Sequence, residues 1–559
     1  MVVEGRKYRE TMHRMLLWML GGALCLSMGV TAWVTDNSIP ADLLCIQWKW
    51  LGIVMCIVLP IWAVGYMVNP RCTGYIGLNV TEWGLMLLGT VQALYGLGQI
   101  IGIYPSGHSH FVLTGTFYNP GPYSGYLAAI LPVALHKMLS ASGQTDCASK
   151  VRYHVAWCAV LLIGCVIPAG MSRAAWLAVA VSCAYVAFRM YGIRVKSFIL
   201  HHKCLVCVVC LLGAVGIIGA YLMKRDSADG RLFIWKVTSQ AIAASPMGET
   251  SGRTFSALYG DAQEKYFTEG AYTDSEAWVA GTPDFAFNEY LQIAAEYGIW
   301  AAVLCVLVLG VLLYVAGTHR HLIGMGGCLV SLMVFAGFSY PLHIPGIVSI
   351  GVLVILVLIG EGLMSIKGRI FPKVILQCMV SVGVMLSLYG HSLHTERLQA
   401  VKEWMPARVL YHAGSYRTAV DEYGKLYSRL GWYNDFCFEY GRLLYSVKRY
   451  EEAEKVLLKA LAVSGDPMIL NLLGRNAQDS GEYEKAEEYL LRSTRRLPER
   501  MYPHYLLVKL YAVPEFCNKE KLLAEVRAVL HHKPKVHSTA VREMRKEVEE
   551  ILKERGWSD

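Results

Sequence analysis

Apolar runs divide the first 390 residues, and each is close to the roughly 20 residues a helix needs to cross about 30 Å of hydrocarbon. We count about eleven: 16–34, 51–68, 83–104, 123–139, 153–168, 174–191, 204–223, 297–316, 322–338, 347–364 and 374–388. Backbone polar groups inside lipid must be satisfied within the segment, so such runs fold as helices. The expected fold is all-α: a polytopic membrane domain over 1–390, then a tail over 391–559. The tail is of another kind, because 53 of its 169 residues are Asp, Glu, Lys or Arg against 42 of the preceding 390. It reads as soluble.

Hydrophobic residues make up 55% of the chain and charged residues 17%, which excludes an ordinary soluble enzyme. The net charge of +9 comes with no basic, aromatic-interleaved stripe, so nucleic acid is not an expected partner. The first apolar run follows Arg6, Lys7, Arg9 and Arg14 and precedes no small-residue cleavage site, which reads as a retained anchor. With eleven crossings, the loops holding Arg71, then Lys137, Lys150 and Arg152, then Arg189, Arg194, Lys196 and Lys203, then Arg320, then Lys367, Arg369 and Lys373 share one side. The positive-inside bias makes that side cytoplasmic. A large loop at 224–289 and the whole tail then face outward, into the periplasm if the cell is Gram-negative, where no ATP is supplied.

Most of the 16 cysteines lie in apolar runs and act as small hydrophobes. Cys204, Cys207 and Cys210 open an apolar helix, so their spacing reads as packing rather than as a metal site. Cys437 and Cys517 belong to the outward tail, where a disulfide between them is an open option.

The tail repeats. Tyr416 and Ala419 recur as Tyr450 and Ala453, then as Tyr483 and Ala486, at spacings of 34 and 33 residues. This is the period of helical hairpins of tetratricopeptide type. Gly441 and Gly474 stand at equivalent places where one helix of a hairpin must approach the other, and 505–530 reads as a degenerate last unit. Such a stack is a binding or scaffolding module.

Four clusters in the outward loops exceed what an anchor needs. In FYNPGPYSGY, Tyr118 and Asn119 precede a turn and a helix start whose amides are suited to an anion. In GMSRAAWLA, Arg173 tips a hairpin between two membrane helices, where a cation must snorkel or find an anion. In GRLFIWKV, Arg231 and Trp235 share a helix face at i, i+4, which also suits a helix lying on the membrane surface. In FNEYLQIAAEYGIW, Asn288, Gln292 and Glu296 fall on one face of the helix entering the membrane, with Glu289 beside them; hydrogen-bonded glue between helices is the alternative role. A further short loop, YPLHIPG, carries Tyr340 and His343.

In this order and on one side of a helical membrane domain, the clusters resemble the O-antigen ligase and polymerase superfamily, over roughly residues 83–364. The Arg173 hairpin, the GR-x-x-x-W segment and the NEYLQ-x-x-x-E-x-G run are the most specific parts. The resemblance implies a GT-C-like enzyme that moves a glycan from an undecaprenyl-diphosphate carrier to an acceptor hydroxyl, without nucleotide, metal or other cofactor. Arg173 and Arg231 match the family's two phosphate-facing arginines, and Tyr118, Asn119, Trp235, Asn288, Gln292, Glu296 and Tyr340 are expected around the substrates.

The family's His before the Asn is here Phe287, which accepts no proton. Glu289 is the first candidate in its place, with His343 and Asp284 as others, and a reaction with little base help is the remaining alternative, since the diphosphate is already a good leaving group. The acceptor is lipid A-core for a ligase, a growing glycan for a polymerase, or a protein hydroxyl for an oligosaccharyltransferase; ligase ranks first. The repeat tail would hold an acceptor or a protein partner. A lipid-linked glycan transporter and a non-catalytic scaffold are the rivals from other classes.

Overall fold

A computed structural model describes residues 2–40, 43–202, 216, 219, 221–222, 225–248, 253–365, 371–531, 533–535, 538–555 and 557. The chain is all-α among them. In the membrane part, α1 is Val2–Gly29, α2 Cys45–Val68, α3 Pro70–Ile100, α4 Pro120–Ala141, α5 Cys147–Val166 and α6 Arg173–His201. The segment that follows holds α7 (Arg225–Ala244), α8 (Phe255–Thr268), α9 (Asp274–Val279) and α10 (Glu289–Tyr297). Apolar helices return as α11 (Ile299–Thr318), α12 (Ile323–Ala336), α13 (Pro345–Ser365) and α14 (Phe371–His412).

Among the described residues, six helices are long and apolar enough to cross a membrane: Cys45–Val68, Cys147–Gly170, Arg173–Gly192, Ile299–Thr318, Pro345–Met364 and Lys373–His412. Leu17–Trp33 and Arg320–Ala336 are shorter apolar helices. The runs expected at 83–104 and 123–139 fall in α3 and α4. Cys204, Cys207 and Cys210, with most of the run at 204–223, lie outside the described residues.

The chain forms two compact units. The first comprises 1–220, 287–290 and 303–399. Its centre is α4, buried along most of its length and packed against α3, α5, α6 and α12. Gly125 permits the close approach of α12, because a Cβ there would stand 2.3 Å from the Phe335 ring. Ser331 Oγ donates to the Ala128 carbonyl at 2.7 Å, and Tyr123 Oη to that of Gln92 at 3.0 Å. Buried amides also fix the segment before α4: Gln99 Oε1 accepts from the Thr114 and Gly115 amides, and Gln92 Nε2 donates to Thr116 Oγ1 at 2.6 Å.

The second unit comprises 221–286, 291–302 and 400–559. The tail continues as helical hairpins: α15 (Tyr416–Leu430), α16 (Asn434–Ser446), α17 (Tyr450–Val463), α18 (Pro467–Asp479), α19 (Tyr483–Arg496), α20 (Met501–Tyr511), α21 (Lys519–His531) and α22 (Thr539–Glu554). A Cβ on Gly441 would meet Leu457 at 2.5 Å and one on Gly474 would meet Leu490 at 2.6 Å, the close approach that the repeat spacing predicts. Cys437 is buried and Cys517 exposed, and both are free thiols, which corrects the option of a disulfide. Cys437 fills the core of its hairpin, while Cys517 Sγ lies 3.3 Å from Arg555.

Within this unit, α8 docks on the repeats through buried polar groups. Arg496, at 0% exposure, donates from Nη1 to the Gly465 carbonyl (3.1 Å), from Nε to Glu264 (3.2 Å) and from Nη2 to Asp261. Gln263 donates to the Arg496 carbonyl at 2.6 Å, and Thr254 to that of Val463 at 2.7 Å. A Cβ on Gly260 would stand 2.6 Å from the Gly465 backbone, so the two segments touch at a pair of glycines.

Candidate functional site

In the first unit, two segments distant in sequence bring together Phe287, Glu289, Tyr340 and His343. Glu289 is 3% exposed, and a carboxylate buried to that degree needs partners. Its Oε1 accepts the Leu342 amide at 2.7 Å and lies 3.6 Å from His343 Nδ1. The carboxylate can therefore orient the imidazole. Pro341–His343 is a single 3-10 turn, closed by the His343 amide on the Tyr340 carbonyl, so His343 is held by backbone at both ends.

Phe287 has φ +51°, a conformation that bulky residues seldom adopt. Its ring packs edge-on against Tyr340 at 5.6 Å. Asn288 Oδ1 accepts from the Tyr290 amide at 3.1 Å and so starts α10, while Tyr290 Oη donates to the Met333 carbonyl at 2.9 Å. These contacts tie the 287–290 segment to the membrane helices.

Arg173 is the first residue of α6 and is half-buried. Its guanidinium charge adds to the positive end of the helix dipole, a combination that favours an anion. The hairpin before it turns on Met171, at φ +49°, and Trp176 Nε1 donates to the Ile167 carbonyl at 3.2 Å. The start of α4 is different. Pro120 and Pro122 have no amide hydrogen, Asn119 Oδ1 takes the Gly121 amide at 3.0 Å, and the Tyr123 amide reaches the Asn119 carbonyl at 3.4 Å. Asn119 thus caps the helix, and the expected anion cradle has no amide left within 120–123. Tyr118 lines a cavity of about 670 Å³, together with Phe117 and Ile344.

In the second unit the polar residues converge on one residue, Ala286. Trp235 Nε1 donates to the Ala286 carbonyl at 3.0 Å, and Gln292 Oε1 accepts the Ala286 amide at 3.1 Å. Gln292 Nε2 in turn donates to Glu296 at 3.2 Å. Trp235 and Gln292 are therefore tied to chain geometry, and Arg231 lies half-buried one turn before Trp235 on α7. The helix bearing Gln292 and Glu296 is not the membrane helix itself. It ends at Gly298, whose φ of +92° only glycine adopts readily, and α11 starts anew at Ile299. A Cβ on Gly298 would also strike the Met247 backbone at 2.6 Å.

Two features had no sequence signal strong enough to find them. One is the polar docking of α8 on the repeats, whose partners are more than 200 residues apart. The other is the wall of the 670 Å³ cavity, which includes Trp33, Asp36 and Gln47. Gln47 alone stood out in principle, as an amide inside an apolar helix.

The O-antigen ligase family model matches residues 158–306, a stretch that contains Arg173, Arg231, Trp235, Asn288, Glu289, Gln292 and Glu296. A tetratricopeptide repeat model matches residues 435–467, the hairpin of α16 and α17. The comparison with curated proteins gave no match. The chain thus joins a stretch similar to O-antigen ligases at residues 158–306, set among apolar helices, to a tail that carries a tetratricopeptide repeat.

Proposed function

We propose that the protein transfers a glycan from an undecaprenyl-diphosphate carrier to an acceptor hydroxyl, on the outer face of the bacterial inner membrane. The N-terminus is cytoplasmic in this reading, and the 225–286 segment and the repeat tail are periplasmic. Lipid A-core is the first-ranked acceptor, which makes the activity that of an O-antigen ligase. The observation that carries the reading is the buried Glu289 carboxylate 3.6 Å from His343, placed at the end of the region matched as O-antigen ligase.

The chemistry follows from the side chains. The acceptor oxygen attacks the anomeric carbon of the donor, and the bond from that carbon to the diphosphate oxygen breaks. The bonding pair leaves on the diphosphate, and the acceptor proton passes to His343, whose imidazolium Glu289 stabilises. Charge that grows on the leaving oxygens is met by Arg173 and Arg231, fixed cations that act most strongly as it forms. His343 thereby does the work for which Phe287 has no basic atom.

The test is transfer by the full-length protein in nanodiscs, with an undecaprenyl-diphosphate glycan and three acceptors in parallel: lipid A-core, a second carrier-linked glycan and a periplasmic protein extract. Transfer that requires Arg173 and Arg231 supports the reading, and the acceptor that gains mass separates ligase from polymerase and from oligosaccharyltransferase. Binding of the carrier lipid with no product on any acceptor would sink it in favour of a transporter or scaffold.

A further inference from the structure

The cavity of about 670 Å³ in the membrane unit has a chemistry that its neighbours in the candidate site lack. One part of its wall is aromatic, formed by Trp33, Tyr95 and Tyr118, with the Trp33 and Tyr95 rings edge-on at 5.5 Å. Another part is polar and includes Asn37, Gln47 and Thr116. Among the described lining residues Asp36 is the single charged one, and none of them is a cation. A diphosphate finds no counter-charge in such a place. A neutral ring with an apolar C–H face and hydroxyls at its edge finds both of its faces matched.

Two further observations point to an occupant. Gln47 is 4% exposed, and its Oε1 has no hydrogen-bond partner among the described residues. Buried polar atoms are nearly always paired, so this acceptor, carried by a residue of the cavity wall, calls for a donor such as a sugar hydroxyl, which a turn of the side chain toward the cavity would meet. The wall also includes Ile344, the residue after His343, so the space opens beside the turn that carries the proposed base. Thr116 holds this side in place, since its Oγ1 donates to the Ala32 carbonyl at 2.6 Å and accepts from Gln92.

We infer that this cavity binds an uncharged pyranose unit of the glycan next to the bond being made, with Trp33 and Tyr118 against its C–H face and Gln47 accepting a hydroxyl. Its role in catalysis rests on the proposed transfer; its sugar binding does not. The pyranose belongs to the donor glycan or to the acceptor glycan, and the same chemistry serves either.

Binding is read first, by saturation-transfer NMR on the full-length protein in nanodiscs, with the methyl glycosides of glucose, galactose and N-acetylglucosamine as probes. Saturation transfer to at least one of them is expected, lost in Gln47→Leu and in Trp33→Ala and kept in Arg173→Ala. Asn37→Ala, at an exposed position, guards against misfolding and should weaken the signal with an unchanged melting temperature. No transfer to any probe in the wild-type protein, or signals unchanged in all the cavity variants, overturns the inference.

With turnover in hand, Gln47→Leu should raise one KM about tenfold, the loss of one buried hydrogen bond. A rise for the carrier-linked donor assigns the sugar to the donor, and a rise for the acceptor assigns it to the acceptor. Both KM values unchanged while transfer proceeds would overturn the site and leave the transferase standing. Probe binding without transfer would do the reverse.

Discussion

Glu289 and His343 are 54 residues apart in sequence, yet Oε1 of the first stands 3.6 Å from Nδ1 of the second. The same Oε1 accepts the Leu342 amide, so the carboxylate fixes the turn as well as the ring it supports. One buried oxygen thus serves both position and charge. Glutamine at 289 keeps the first role, since its carbonyl still accepts the amide, and removes the second.

Glu289→Gln is therefore expected to lower kcat by about 10²-fold, within the range for general acid–base groups, with little change in KM. His343→Ala should lose about as much. In the proposed mechanism the two act as one device, so the double variant should be scarcely worse than either single one. Initial rates with carrier-linked donor at saturating acceptor measure all three. Multiplied losses in the double variant would mean that the two residues act separately.

Arg173→Ala and Arg231→Ala should each reduce transfer by about 10²–10³-fold, the usual effect of deleting a group that meets charge in the transition state. Each variant should remain inserted, with an unaltered melting curve. Lysine at either place keeps the charge but loses the planar fork of donors, so it should restore only part of the activity. Full activity in the Ala variants would favour a scaffold whose working part is the repeat tail.

How much of this was legible in the sequence depends on the range of the interaction. Apolar runs of about 20 residues announce helices because the backbone must bond within each segment. The tetratricopeptide period, with Gly441 against Leu457 and Gly474 against Leu490, is legible for the same reason: each contact lies within one hairpin. Arg173 was visible as a cation at an apolar hairpin. The Glu289–His343 pair was half visible, as two separate candidates.

Arg496 was invisible. In the sequence it is one basic residue in a charged helix, and nothing local distinguishes it from Arg495 beside it. Only the fold shows Arg496 fully buried against Asp261 and Glu264, more than 230 residues earlier. The break at Gly298 was missed for another reason. The polar face continues across it, while the need for a positive φ arises from the Met247 backbone it meets.

The docking of α8 on the repeats predicts what loss of the tail would do. Arg496→Ala leaves Asp261 and Glu264 short of a buried cation, and breaking such a pair costs about 3–5 kcal/mol when both partners are buried. Asp261 is 39% exposed, which places the expected loss near about 3 kcal/mol. Limited proteolysis should then cut the 253–273 segment far faster than in the wild type. Deleting 400–559 should expose the same segment, with turnover lost through the displaced 225–286 region. A truncated protein that resists cleavage there and keeps its activity would show that the segment folds without the repeats.

The last expectation concerns pH and lies in the same segment. Glu276 accepts from Lys236 Nζ at 2.5 Å, from Tyr266 Oη at 3.1 Å and from the Thr273 amide at 2.9 Å, which completes a capping box at the start of α9. Burial works against its ionisation, but these bonds outweigh it and hold the carboxyl down at about 2, from an ordinary 4.5. A depressed pKa stabilises the fold fully above the unfolded value and loses its effect as pH falls through the folded one. Lys236 is 47% exposed at its side chain, so screening limits the gain to about 1 kcal/mol. Glu276→Gln should therefore lower the melting temperature of the full-length protein in nonionic detergent at pH 7. The gap from wild type should narrow below pH 4.5 and close near pH 2. A gap of constant size over that range would mean that Glu276 contributes through packing and the cap rather than through its charge.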